Sequence, residues 1–284
     1  MRPTIVLMVL ASIVAAACST SAASSSASTS APSVVPSTGP SASASTEALD
    51  LTIFAAASLS GVLAKVKDAY VAANPGTTLT VSTDSSAALE TKLEQGAPAD
   101  VFLAADTANP KRLVNAGLAA GAAAVFAGNK LTIVVPTDNP GAVGKPADLA
   151  KPGLKVIAAG DEVPITRYAT QLVANIAKQP DAPAGFEAAY AANVVSKEDN
   201  VKAVIGKIEL GEGDAGIVYV TDAKASTQVT TVDVPDAVNV PATYAGVVVG
   251  ISTHKESART FLGWLTGVDG QAILASLGFL PPAT

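Results

Sequence analysis

The sequence predicts an α/β protein of two lobes, each a mostly parallel sheet flanked by helices, carried behind a leader that does not fold. Three observations predict it. Strand-length runs rich in Val, Ile, Leu and Ala alternate with helix-length segments from Leu51 to Leu277, the order that gives parallel strands and right-handed crossovers. Hydrophobic residues make up 49% of the chain but aromatics only 4%, which suits close α/β layers and argues against an aromatic-lined sugar or peptide groove. The 284 residues give room for about two domains.

Residues 51–57 form a continuous apolar run, as expected of a strand buried on both faces. Residues 59–73 follow with Leu63, Val66 and Tyr70 at helical spacing, stopped by Pro75. Residues 78–82 predict a second strand, 85–95 a helix with Leu89 and Leu93 on one face, and 100–104 a third strand. Residues 131–135 are a strongly β-branched strand. A second alternating block then reads strand 155–158, helix 166–178, helix 200–210 and strand 215–220. Residues 243–251 are the last long strand, and 258–265 and 271–277 close the chain as helices. This places the first lobe at 49–134 and 242–284 and the second at 135–241, with no internal repeat of fixed period.

The leader carries its own information. Arg2 precedes the apolar run 5–10, and Ala-rich sequence leads to Cys18. Residues 1–17 are expected to be a signal peptide, too short for a stable membrane span. Ala15-Ala16-Ala17 before the cysteine resembles a lipobox, so Cys18 is the expected lipidation site. It is the only cysteine and has no disulfide partner in an oxidising compartment. Residues 19–48 are almost entirely Ser, Ala, Thr and Pro, a composition that cannot bury enough apolar surface to order itself. As a tether it would reach about 30 Å. The expected location is the extracytoplasmic face of the cell membrane, on a lipid anchor.

The net charge is −6, or −7 once Arg2 is removed. Such a chain has no long-range attraction for nucleic acid or an anionic surface, so any anion site must be built locally from dipoles. Two lobes place a ligand in the cleft between them, beyond the carboxyl ends of the strands. Helices begin at those ends: after Ser58, at Ser85 and Ser86, at Pro164-Ile165-Thr166, and at Asp199-Asn200-Val201. Free N–H groups and a partial positive charge suit each start to an anion. Each alone is explained by N-capping; their coincidence on one edge is what points to binding.

These residues also carry a resemblance. Phe54-Ala55-Ala56-Ala57-Ser58-Leu59, Ser85-Ser86 and Gly96-Ala97-Pro98-Ala99-Asp100-Val101-Phe102, with Glu198-Asp199-Asn200-Val201 and Gly216-Ile217-Val218-Tyr219, resemble the periplasmic molybdate-binding proteins of ABC transporters. The resemblance spans about residues 51–281. It implies a two-lobed periplasmic-binding-protein fold with the ligand in the interlobe cleft. It further implies a monomer that captures molybdate, and tungstate with it, for the membrane permease of an importer. Ser58 and Ser86 would each supply a hydroxyl, Ile165 and Val201 a backbone N–H, and Tyr219 its phenol. In familiar members small residues follow the Val-Pro pair; here Ile165-Thr166-Arg167-Tyr168 stand there, with a bulkier wall and a nearby charge.

Neutral donors suffice for such a ligand. A hydrogen bond to a charged group contributes about 1.5–3 kcal/mol, so roughly half a dozen reach the about 8–12 kcal/mol of sub-micromolar to nanomolar binding after ordering costs. No cofactor is expected. Asp84, Asp161, Glu198 and Asp199 stand near these motifs and are expected to cap helices and face solvent. A serine hydrolase would need a histidine base; His254 is the only histidine, in a polar stretch, and no G-x-S-x-G motif occurs. One histidine and one cysteine give no metal-ligand cluster. Sulfate or another small oxyanion is the alternative ligand, and a purely structural surface lipoprotein the alternative class.

Overall fold

The computed structural model describes residues 49–282; the signal peptide, Cys18 and the tether lie outside them. The chain enters as strand β1 (Leu49–Ala56), and a 3₁₀ turn at Ala57–Leu59 leads into helix α1 (Ser60–Ala73). Val62, Leu63, Val66 and Tyr70 form the buried stripe of α1. Strand β2 (Thr77–Asp84), helix α2 (Ser86–Glu94), strand β3 (Val101–Ala104) and helix α3 (Ala108–Asn115) follow, then strand β4 (Ala124–Asn129). The last strand, β10 (Ala242–Val248), joins the same sheet, in the order β2-β1-β3-β10-β4. Helices α8 (Lys255–Thr266) and α9 (Val268–Ser276) close this lobe. There Tyr70 packs edge-on against Phe261 and Trp264 at 5.0 and 5.2 Å.

The second sheet holds strands β5 (Leu131–Pro136), β6 (Val156–Ala159), β7 (Val194–Glu198), β8 (Ala215–Tyr219) and β9 (Val229–Val232), in the order β7-β6-β8-β5-β9. Between them lie helices α4 (Pro164–Ile176), α5 (Phe186–Asn193), α6 (Val201–Glu209) and the short α7 (Val220–Lys224). Both sheets belong to one compact unit.

Each sheet is mixed, in the same way. In the first, β2, β1 and β3 run parallel, whereas β10 is antiparallel to β3 and β4. In the second, β7, β6 and β8 run parallel and β5 is antiparallel to β8 and β9. The parallel part is therefore a three-strand core in each lobe. The antiparallel member of each is the strand that has just arrived from the other lobe.

One boundary is corrected by this topology. Residues 131–134 were expected in the first lobe, but β5 pairs from Leu131 with Tyr219 of β8. The chain thus crosses at Asn129–Leu131. A β-branched run gives no local sign of which sheet it joins, because its partners are remote in sequence. The return crossing ends at Ala242, which pairs with Asn129, so the two crossing segments lie side by side. Asn239 fastens them: its side chain accepts from Leu131 N–H at 3.0 Å and donates to Leu131 C=O at 2.8 Å.

Candidate functional site

The six parallel strands all point their carboxyl ends at one small cavity. Beyond β1 it is walled by Ala56, Ala57 and Ser58, beyond β2 by Ser85 and Ser86, and beyond β3 by Ala105. From the other lobe come Val163, Pro164 and Ile165 after β6, Asn200 and Val201 after β7, and Tyr219 at the end of β8. This is the crevice where ligands of open α/β sheets are expected. The five residues named from the sequence, Ser58, Ser86, Ile165, Val201 and Tyr219, are brought together here, each at most 5% exposed. Among the described residues no charged side chain lines the cavity.

Local sequence explains each position. Ser85 is the N-cap of α2, its Oγ accepting from Ala88 N–H at 3.2 Å, which leaves Ser86 at the first helical position. Pro164 begins α4 in its preferred place, where a missing N–H costs nothing. Ile165 follows in the first turn. Asn200 caps α6, its side chain accepting from Ala203 N–H at 3.1 Å, and sets Val201 at the first helical position. First-turn N–H groups have no partner inside a helix, so those of Ser86, Ile165 and Val201 are open to a ligand. Helix α6 lies close on β8 because Gly216 has no side chain. A Cβ there would stand 3.0 Å from Val204 and 3.1 Å from the Ile157 carbonyl.

The three hydroxyls differ in what they already hold. Ser86 Oγ accepts from Ala105 N–H at 3.0 Å. Ser58 Oγ accepts from the Tyr244 hydroxyl at 3.0 Å. Each therefore keeps its own proton to give. Tyr219 Oη is buried with no hydrogen-bond partner among the described residues, an uncommon state for a polar atom and one that asks for an explanation. Burial, before any neighbour, pushes its phenol well above the ordinary range, so it remains a neutral donor.

Behind the cavity stand residues that sequence reasoning missed. Tyr244 packs on Tyr219 with ring centroids 5.6 Å apart, and Tyr168 lies 6.4 Å away on its other side. The chain has only five tyrosines, and three meet here; that scarcity was the available signal. Asn129, fully within the structure at the first crossing, donates to Thr221 Oγ1 at 2.8 Å and to Tyr244 Oη at 3.4 Å. Asp222 is buried, and desolvation pushes its carboxyl up to about 6 although Lys202 Nζ stands 3.0 Å away.

The charged residues near the motifs are turned elsewhere. Arg167 does not line the cavity; its guanidinium reaches the buried Asp106 of the first lobe at 3.3 Å and forms a clasp across the cleft. Thr166 Oγ1 donates back to the carbonyls of Ala159 and Gly160. Asp84 accepts from Ser85 N–H and pairs with Lys92, Asp161 pairs with Lys197, and Glu198 pairs with Lys207. These three acids, and Asp199 with them, are absent from the cavity wall. His254 stands 3.3 Å from Asp100, beside Ser252, at the opposite end of β3. Among the described residues no cluster of His, Cys, Asp and Glu could hold a metal ion, and no helix is long and apolar enough to cross a membrane.

Known proteins share this architecture. The chain matches the model of the bacterial extracellular solute-binding protein family over residues 51–280. It is 36% identical over 236 residues to the molybdate-binding protein ModA of Mycobacterium tuberculosis (strain ATCC 25618 / H37Rv), covering 83% of this chain and 86% of that protein. The periplasmic molybdate-binding protein of Azotobacter vinelandii superposes with a TM-score of 0.70 at 22% identity, covering 82% of this chain and 100% of that one. The sulfate-binding protein SubI from M. tuberculosis H37Rv gives a TM-score of 0.72 at 24% identity, covering 82% and 87%. At these identities the two structures speak for the fold alone.

Proposed function

Because the chain belongs to the bacterial extracellular solute-binding protein family, we propose that it captures molybdate outside the membrane and hands it to the permease of an ABC importer. The observation that carries the ligand class is the cavity at the six strand ends, in which every polar side chain named from the sequence has a proton to donate and no acid stands in the wall. Ser58, Ser86 and Tyr219 give hydroxyl protons, and Ile165 and Val201 give backbone N–H groups. A bare oxyanion takes all of them. Likeness to a molybdate-binding relative at 36% identity supports molybdate within that class, and tungstate, equal in charge and close in size, is accepted with it.

A donor-only shell also rejects. Phosphate near neutral pH keeps a proton that finds no acceptor, at a cost of about 1–3 kcal/mol. Sulfate has no proton and is refused by its shorter bonds, which leave donors out of reach. It is the second reading, favoured only by the fold shared with a sulfate-binding protein.

A melting series on the purified protein tests the assignment. Molybdate and tungstate should raise the melting point, whereas millimolar sulfate and phosphate should barely move it. Linkage predicts about 2.7 kcal/mol of stabilisation at one hundred times the dissociation constant. Equal stabilisation by sulfate contradicts the molybdate assignment.

A further inference from the structure

The proton that Ser58 offers to the cavity is fixed by a chain of hydrogen bonds that begins at the crossing between the lobes. A backbone N–H can only donate, and Lys130 N–H donates to Asn129 Oδ1 at 2.9 Å. That bond orients the amide, so Asn129 Nδ2 must be the donor on the other side. Its two protons go to Thr221 Oγ1 at 2.8 Å and to Tyr244 Oη at 3.4 Å. Tyr244 Oη, having accepted one hydrogen bond, donates its own hydrogen to Ser58 Oγ at 3.0 Å. Ser58 has then accepted, and its remaining hydrogen is the group left for the cavity. Asn129 is 1% exposed and Tyr244 0%, so no solvent competes for these bonds. Ser86 reaches the same polarity in one step, from the backbone N–H of Ala105.

We infer that Tyr244 and Asn129 are positioning residues which occupy one acceptor site of Ser58 and bias its hydroxyl toward donation, and so favour a bare oxyanion over a protonated one. The inference rests on the oxyanion reading of the cleft. Without the relay the Ser58 hydroxyl is free to rotate and accept, which is what a protonated oxyanion such as hydrogen phosphate requires. Tyr244 does not itself line the cavity; its hydroxyl reaches the wall through Ser58, while its ring packs on Tyr219. Its position on β10, opposite Ala127 of β4 and two residues beyond the end of the return crossing at Ala242, gives the relay a second property. The bond from Asn129 to Thr221 joins the two lobes at the crossing, and that from Asn129 to Tyr244 ties it to β10 of the first sheet, so the polarity of Ser58 depends on the seating of the crossing segments.

The test is a double-mutant cycle on the purified full chain, read by calorimetric titration with molybdate and with inorganic phosphate at mildly alkaline pH, where molybdate is bare and phosphate keeps one proton. Tyr244→Phe keeps the ring packed against Phe126, Tyr219 and Phe279 and deletes only the hydroxyl. It should weaken molybdate by about tenfold and narrow the molybdate-to-phosphate ratio further, because phosphate gains an acceptor. In a Ser58→Ala background the same change should have no further effect on either ligand, since there is no hydroxyl left to orient. Asn129→Ala, which retains both hydroxyls, should narrow the ratio in the same direction. Additive losses in the cycle, or an unchanged ratio in Tyr244→Phe, overturn the relay. A wild type that binds neither anion removes the oxyanion reading itself, a result the cycle cannot produce on its own.

Discussion

At the scale of single residues the proposed site is one in which the serine oxygens already hold an acceptor bond. Ser86 and Ser58 each have an oxygen lone pair occupied by the protein, and Tyr219 is kept neutral by burial. What faces inward is protons. The sequence led to the two serines through their places at helix starts and to all five residues through a family resemblance. It could not lead to Tyr244, because Ser58 and Tyr244 are 186 residues apart and no pattern near either one announces the other. The same layer contains an acid with a measurable signature. Asp222 binds its proton more tightly when folded, since burial raises it from 3.8 to about 6. Its contribution to stability is therefore fully present below 3.8 and is lost as the pH rises through about 6. A shift of this size corresponds to at most about 3 kcal/mol. Asp222→Asn should flatten the decline of stability across that window, as followed by denaturant titration at a series of pH values. A variant whose decline is as steep as wild type would show that Asp222 is not the group responsible.

At the scale of elements, helix starts position the donors and the sheet core positions the helices. Strongly patterned elements were legible: β1, α1, α2, β5, α4, α6 and β8 appear within a few residues of where apolar spacing put them. The missed ones lack such patterning for identifiable reasons. Helix α3 contains Pro110, which sits in the first turn where it is tolerated but looks like a breaker. Helix α5 is half Ala and carries little contrast between its faces, while β7 and β9 have only partly buried or exposed residues apart from Val232. The antiparallel pairing of β10 and β5 had no local signal at all. One substitution isolates a helix start from its side chains. Proline is acceptable at the first helical position, and Asn200 before Val201 is already extended, at φ −159° and ψ 169°, as a residue preceding proline should be. Val201→Pro should thus leave the melting point of the ligand-free protein near that of wild type yet weaken molybdate by about tenfold through loss of one N–H. Val201→Ala, which keeps that N–H, should be mild. Equal affinities for the two variants would place the Val201 backbone outside the site.

At the scale of the whole molecule, two adjacent crossings join lobes that meet at six strand ends, and Arg167 with Asp106 clasps the cleft from the outside. In the proposed function, donors from both lobes would meet one ion in a cavity whose wall, among the described residues, carries no charged side chain. The proposed attachment to the outer face of the membrane depends on Cys18. The protein should fractionate with membranes, and Cys18→Ser should release it or block its processing; wild type recovered free in the medium would argue for ordinary signal-peptide cleavage. The central claim concerns what the three hydroxyls do. If they bind the anion, Ser58→Ala, Ser86→Ala and Tyr219→Phe each remove a charge-assisted bond of about 1.5–3 kcal/mol, and affinity falls by roughly ten- to more than a hundredfold. If the serines merely hold local structure and Tyr219 merely packs, the ligand-free proteins lose up to about 2 kcal/mol of stability and affinity stays where it was. Calorimetric titration of the three variants with molybdate, beside melts of the ligand-free forms, separates the two directly. The structure predicts a large loss of affinity in all three, and three variants that bind molybdate like wild type would contradict it.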